Sequence, residues 1–323
     1  MKHFTVNELY LAKYHTITDN MGEVSGGSRP RLTLYRKDNN QKYFFKTYSH
    51  NPREVWAECL ASHIADLAGI QAQSVTIKTT PARLKEVLQK RFPELPESWK
   101  PVGTLARNIF PKNIEITYGA VIVETPDGSL TLKQIEERIK ARYYASEDLL
   151  QNYSDMIVFD ALIGNMDRHH ENWGVCEDKK YKQQLLFDRT RLKDLRYFTP
   201  LFDHGSSLMF ELSQENISDY LRDEKRLENY VEKKNYGFLL DTQGNSANIF
   251  NIIEQHLASK TRWQPRFRKS LAKIKSIDLL SLAGLVIQMP TLEILEYDTE
   301  RRRLLYKSLL MRYNKLSELH GAY

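Results

Sequence analysis

Ile163-Gly164-Asn165-Met166-Asp167-Arg168-His169-His170-Glu171-Asn172-Trp173-Gly174-Val175 is the stretch that decides how this chain is read. It follows a long apolar pattern, Ser146 to Ile163, and precedes a strand-like run. So many polar groups at the end of a buried helix are costly unless they have partners or work to do. Asp167 and Asn172 stand five positions apart. One is a carboxylate able to take a proton; the other carries an amide oxygen able to hold a cation. Further on, Thr199-Pro200-Leu201-Phe202-Asp203-His204-Gly205-Ser206-Ser207-Leu208 delivers a second carboxylate from an apolar run, with a glycine two positions after it. Oxygens of this kind are what Mg²⁺ takes as ligands.

Protein-kinase catalytic loops hold an Asp and an Asn at the same spacing, the Asp serving the attacking hydroxyl and the Asn a magnesium ion. Asp203-His204-Gly205 has the shape of the kinase metal-binding triplet, with His204 where Phe would stand. The earlier sequence supplies the remaining parts in order. Arg31 to Tyr35 and Lys42 to Tyr48 alternate, and Lys37 to Gln41 between them is a polar turn, which is a hairpin signal. Ser25-Gly26-Gly27-Ser28 precedes the hairpin, and glycines there let backbone N–H groups approach phosphate. Lys46 lies in the second hairpin strand. Pro52 to Ala68 repeats at helical spacing, with Asn51 as cap and Gly69 as stop. Glu58 on that helix is the expected partner of Lys46, with Glu54 as second choice. Ala72 to Thr79 and Val102 to Phe110 read as strands, and Pro81 to Phe92 as a basic helix.

The runs IGNMDRHHENWGV and TPLFDHGSSL together resemble the C-terminal kinase domain of HipA-like proteins, bacterial Ser/Thr protein kinases of which many are toxins of toxin–antitoxin modules. AECLASHIADLAGI resembles that family's helix after the ATP lysine, and GTLARNIF its hinge strand. The resemblance covers most of residues 20 to 212, and more loosely the helical tail. It implies an α+β, bilobal protein-kinase-like fold, with a β-rich first lobe over residues 1–110 and a mostly helical second lobe over 111–323. It implies ATP and Mg²⁺ as cofactors, Asp167 as catalytic base, and Asn172 and Asp203 as metal ligands. Lys46, Glu58, Gly26, Gly27 and Ser28 would bind nucleotide, with Arg107, Asn108 and Phe110 forming the adenine hinge. Ser25 and Ser28 would be self-phosphorylated to switch the enzyme off. A protein substrate carrying Ser or Thr and a small DNA-binding antitoxin are the implied partners. The chain departs from the family at Arg29 and Arg31, where Gln and Lys are usual, in an apparent insertion over residues 81–100, and in a long basic stretch before Asp203.

Each residue also has a plainer reading. Asp167 and Asn172 alone would suit a helix-end turn, and Lys46 alone a solvated strand lysine; their order along the chain is what assigns them. His169 and His170 lack a third ligand at zinc spacing, so His169 is read as supporting the loop and His170 stays open. Arg168 should pair with a carboxylate or with backbone carbonyls, and Trp173 should lie in the core. Lys179 to Arg196 is a solvated face or a dock for an acidic partner. Asp-Arg-His-x-x-Asn also looks like the catalytic loop of phosphoinositide kinases, which leaves a small-molecule or lipid kinase as one alternative. A non-catalytic binding protein on the same fold is another.

The composition bounds all of this. At 323 residues the chain suits one bilobal unit or two domains. Lys+Arg 47 against Asp+Glu 41 gives +6, too little to mark a nucleic-acid binder, so direct nucleic-acid binding is not expected. Two cysteines rule out a disulfide framework. No run approaches the ~20 apolar residues of a spanning helix, and the start lacks the apolar core of a signal peptide. The longest apolar run, near Leu279 to Met289, reads as a buried helix. The expectation is a cytoplasmic protein with no membrane contact.

Overall fold

The computed structural model describes residues 7–9, 13–16, 31–48, 51–80, 82–93, 95, 99, 102–108, 113–124, 128–143, 146–178, 196–233, 235–289 and 298–323. The Gly-rich loop (Ser25, Gly26, Gly27, Ser28), hinge residue Phe110 and the basic stretch up to residue 195 lie outside them.

The first lobe is built on a six-stranded sheet. Its strands are β1 (Asn7–Glu8), β2 (Tyr14–Thr16), β3 (Arg31–Arg36), β4 (Lys42–Thr47), β5 (Val75–Thr79) and β6 (Val102–Arg107). They run in the order β1-β5-β6-β4-β3-β2. The expected hairpin is β3 and β4, antiparallel, with Arg31 opposite Lys46. Alternation puts Phe45 in the core and leaves Lys46 on the other face. On its far side Lys46 pairs with Thr104 of β6. Gly103 lets the two strands close: a Cβ there would lie 2.5 Å from Cζ of Phe45 and 2.6 Å from the Lys46 carbonyl.

Helix α1 (Arg53–Leu67) covers β5 and β6. Ala57, Cys59, Ala61 and Ala65 are buried in it, small residues that let the helix approach closely. Asn51 Oδ1 accepts from the Arg53 N–H at 3.1 Å, and Gly69 at φ +62° turns the chain away. Helix α2 (Ala82–Arg91) lies between β5 and β6 in sequence. It is an integral layer, because Leu84 and Leu88 join the main core.

The second lobe contains α3 (Gly119–Val123), α4 (Leu132–Arg142), α5 (Glu147–Ile163), α6 (Gln214–Arg222), α7 (Glu224–Lys233), α8 (Ile249–Ala258), α9 (Gln264–Lys275), α10 (Leu279–Ile287) and α11 (Thr299–Ala322). Helix α5 is its axis: Leu149, Leu150 and every residue from Tyr153 to Ile163 are buried, with α9 and α11 packed along it. Thr131 caps α4 in a reciprocal capping box with Gln134.

Two small sheets interrupt the mostly helical second lobe. Strands β7 (Ile114–Tyr118), β9 (Gly174–Asp178) and β10 (Arg196–Phe198) form an antiparallel ribbon beneath the cleft. Strands β8 (Leu130–Thr131), β11 (Asn235–Leu240) and β12 (Ser246–Asn248) form a mixed sheet, β11 antiparallel to β12 and parallel to β8. Helix α10 is also not buried all round. Leu282, Leu285 and Val286 face inward, whereas Leu280 and Ile287 are 83% and 68% exposed. No described helix is long and apolar enough to cross a membrane.

Backbone bonds stitch the lobes together. The Gln73 N–H donates to the Leu201 carbonyl at 2.8 Å, and the Leu201 N–H to the Gln71 carbonyl at 2.9 Å. Asn51 Nδ2 and Arg53 Nε both donate to the Phe210 carbonyl, at 2.8 and 2.9 Å. These clamps sit on either side of Asp203.

Candidate active site

Lys46 reaches across the cleft from β4. Its Nζ lies 2.6 Å from Asp203 Oδ1 and 3.9 Å from Glu58 Oε2. The sequence-predicted lysine, helix carboxylate and metal carboxylate therefore meet, and the carboxylate on α1 is Glu58 rather than Glu54. Asp203 adopts φ +59°, a left-handed conformation that costs a non-glycine residue energy and often marks a functional turn. The turn ends the run from Thr199 and aims the carboxylate back at Lys46.

Arg168 organises the rest. The side chain is fully buried, as is that of Asp160 on α5. Its Nε and one terminal nitrogen take both oxygens of Asp160, at 3.0 and 2.9 Å. The same terminal nitrogen lies 3.0 Å from His204 Nδ1. The other donates to the carbonyls of Asn172 (3.1 Å) and Phe202 (2.5 Å). One planar cation thus ties together the helix, the Asp167–Asn172 loop and the Asp203 turn, satisfying both expected kinds of partner. The fork of donors on a guanidinium suits this, and an ammonium could not reproduce it. Burial, reinforced by the Arg168 charge, pushes His204 down to about 3. The ring is neutral, and its Nδ1 is read as the acceptor from Arg168.

Asp167 is held through its backbone. Its N–H donates to Asn165 Oδ1 at 3.2 Å, and Asn165 Nδ2 donates to Asp160 Oδ1 at 3.2 Å. Asn172 Nδ2 donates to the Asp167 carbonyl at 3.1 Å. That fixes the amide orientation, and Asn172 Oδ1 is an oxygen that could hold a cation. Asp167 itself is exposed to the cleft, with Ser206 Oγ 3.3 Å from its Oδ2. Trp173 lies in the core, stacked on Phe198 with centroids 5.8 Å apart. His169 rests edge-on against Phe238, as a loop support would. His170 is buried with Nε2 3.1 Å from the Gly128 carbonyl, and burial lowers its pKa.

The hinge is placed less simply. The Asn108 N–H already donates to the Lys42 carbonyl at 2.9 Å, continuing the β4–β6 ladder. Gln73 Nε2 donates to the Arg107 carbonyl and Gln41 Nε2 to that of Asn108, both at 3.1 Å. These groups close the end of the sheet at the expected hinge residues Arg107 and Asn108. Asp160, Asn165 and Ser206 were not singled out for the site from sequence. A carboxylate inside the apolar run Met156-Ile157-Val158-Phe159-Asp160-Ala161-Leu162-Ile163 was the available signal for the first.

No protein-family model and no curated protein matches the sequence. Solved structures do. The Helicobacter pylori proinflammatory kinase CtkA superposes with a TM-score of 0.71 at 18% identity, covering 92% of each chain. HipA of Shewanella oneidensis MR-1, solved in a toxin–antitoxin complex with HipB and operator DNA, superposes with a TM-score of 0.56 at 12% identity. That match covers 92% of this chain and 66% of the HipA chain. The α+β kinase-like fold implied by the sequence is thus the fold observed.

Proposed function

We propose that this chain is an ATP- and Mg²⁺-dependent Ser/Thr protein kinase of the HipA-like type, a toxin or growth-regulating kinase. The supporting observation is the convergence of Lys46, Glu58 and Asp203 on one side of the Arg168 network and of Asp167 and Asn172 on the other. The donor set fits the cofactor: Asp203 offers a carboxylate and Asn172 an amide oxygen, the hard oxygens magnesium prefers. Mg·ATP when bound supplies the phosphoryl group and the charge that offsets negative charge in the transition state. Lys46 holds the phosphates, Glu58 keeps Lys46 in place, and Asp167 takes the acceptor hydroxyl's proton. The lobe boundary is placed at 110/111, the adenine contacts at the hinge through Phe110, and phosphate contacts at Gly26, Gly27 and Ser28. Self-phosphorylation at Ser25 or Ser28 belongs to the proposal, as does a small DNA-binding partner of the kind that accompanies the Shewanella HipA. Cytoplasmic location is part of the same reading.

The test is label transfer from γ-labelled ATP to protein, by the wild type and by Asp167→Asn. Loss of an acid–base group typically costs about 10²- to 10⁴-fold. Equal labelling by the two would remove Asp167 from the chemistry. Mass spectrometry of the ATP-treated wild type should find phosphate at Ser25 or Ser28.

A further inference from the structure

The backbone of Asp167 is pinned on both sides, by Asn165 and by Asn172. Neither bond sets the rotation of its carboxylate. Ser206 touches that group: its Oγ donates to Asp167 Oδ2 at 3.3 Å. Among the described residues the carboxylate has no other hydrogen bond.

Ser206 is carried on a turn with little freedom. Two residues before it, His204 is buried between the Arg168 guanidinium at 3.0 Å and the Phe159 ring, met edge-on at 5.5 Å. One residue after it, Ser207 Oγ donates to the His204 carbonyl at 2.6 Å. The Leu208 N–H then donates to the Ile163 carbonyl at 2.9 Å, tying the turn to the end of α5. Leu208 and Met209 both stand at positive φ, +56° and +57°. The hydroxyl is thus delivered to Asp167 by the same turn that aims Asp203, although the two carboxylates come from different segments.

We infer that Ser206 is a positioning residue for phosphoryl transfer: it occupies Oδ2 of Asp167 and presents Oδ1 as the atom that accepts the acceptor hydroxyl's proton. The inference rests on the kinase reading and deepens it. A rotating carboxylate offers the acceptor two oxygens in several directions, and a fixed one offers a single lone-pair direction. The 3.3 Å separation is long for a hydroxyl–carboxylate hydrogen bond, and bonds of this kind tighten when the site is loaded. Ser206 keeps its own proton throughout; only the acceptor's proton moves, to Oδ1.

The full chain, wild type and the variants Ser206→Ala, Ser206→Thr and Asp167→Asn, would be assayed for transfer from Mg·ATP to myelin basic protein, with kcat and the KM for ATP measured separately. Ser206→Ala should lower kcat about tenfold, the usual scale for a hydrogen bond to a charged group, with KM for ATP unchanged. Ser206→Thr, which keeps the hydroxyl, should restore kcat. A wild-type kcat in Ser206→Ala would overturn the inference. So would equal impairment by Ala and Thr, which would mark a packing role. An inactive Asp167→Asn beside a wild-type-like Ser206→Ala overturns the positioning role alone, a fully active Asp167→Asn removes Asp167 from the chemistry and this inference with it, and no transfer by the wild type overturns the kinase reading.

Discussion

A buried arginine and a histidine that stays neutral set the electrostatics behind the Asp203 turn. Arg168 remains charged because Asp160 neutralises it and two carbonyls take its remaining donors. Removing either ionic partner would leave an uncompensated buried charge. His204 sits against that cation and resists protonation, down to about 3. In the unfolded chain its imidazole titrates near 6.5. Between those values the unfolded state binds the extra proton, so stability is lost as pH falls below about 6.5 and the loss continues toward 3. His256, lowered to about 4, and His170, also lowered, push in the same direction. The urea midpoint should therefore drop on acidification. His204→Asn keeps an acceptor for Arg168 and removes one titration, so its slope between pH 6.5 and 4.5 should be shallower, by up to ~1.4 kcal/mol per pH unit. Parallel wild-type and variant slopes would mean that the ring titrates normally in the folded protein.

At the scale of elements, the position of Lys46 depends on how closely β4 and β6 approach. The virtual Cβ of Gly103 overlaps both the Phe45 ring and the Lys46 carbonyl. Neither can retreat, since the ring is wholly buried and the carbonyl belongs to the ladder. Gly103→Ala should cost about 1–3 kcal/mol, the range for overpacking, and should weaken binding of a fluorescent ATP analogue by displacing Lys46. Gly321→Ala, where a Cβ meets nothing, is the control. Unaltered stability and nucleotide affinity in Gly103→Ala would show that the strands part without cost. The same elements show what was legible in sequence. The β3–β4 hairpin, α1 and α5 announce themselves through local periodicity, and each appears within a few residues of its expected limits. Strand β7 went unread although Ile114-Glu115-Ile116-Thr117-Tyr118 alternates, because five residues are a short signal and the partner β9 lies some sixty residues away. The β11–β12 hairpin is hidden similarly, in a charged and otherwise helical stretch. In the site, Lys46, Asp167, Asn172 and Asp203 were readable because the proposed function calls for those residue types in that order. Ser206 was not, since its role arises only when two distant loops fold against each other.

Across the whole molecule, the cleft is held by elements from both ends of the chain. Helix α10, far along the sequence, packs on α1 of the first lobe through its inward face. Buried aliphatic side chains of this kind contribute about 1.5–3 kcal/mol each. Helix α11 holds the other side: Arg312 Nη1 donates to the Ala161 carbonyl at 3.1 Å, near the C-terminal end of α5, where a cation is favoured. Burial lowers Arg312 only to about 10, so it remains charged at neutral pH. Its guanidinium lies where a side chain at Gly164 would have to go. A single hydrophobic cluster runs from Leu9 to Leu319 and includes Trp56 and Trp99 in the first lobe and Trp173 and Trp263 in the second. Chains of this length often unfold through intermediates, lobe by lobe. Here the first lobe would have to expose the inner face of α10 and break the backbone bonds between residues 71–73 and Leu201 before it could open alone. Those shared contacts should make the lobes unfold together. Tryptophan fluorescence, which reports on both lobes, and far-UV circular dichroism should give coincident urea transitions, with the calorimetric and van't Hoff enthalpies equal. A fluorescence transition that separates into two steps, or a calorimetric enthalpy well above the van't Hoff value, would show instead that the first lobe melts independently and that α10 is a weak strap rather than part of a common core.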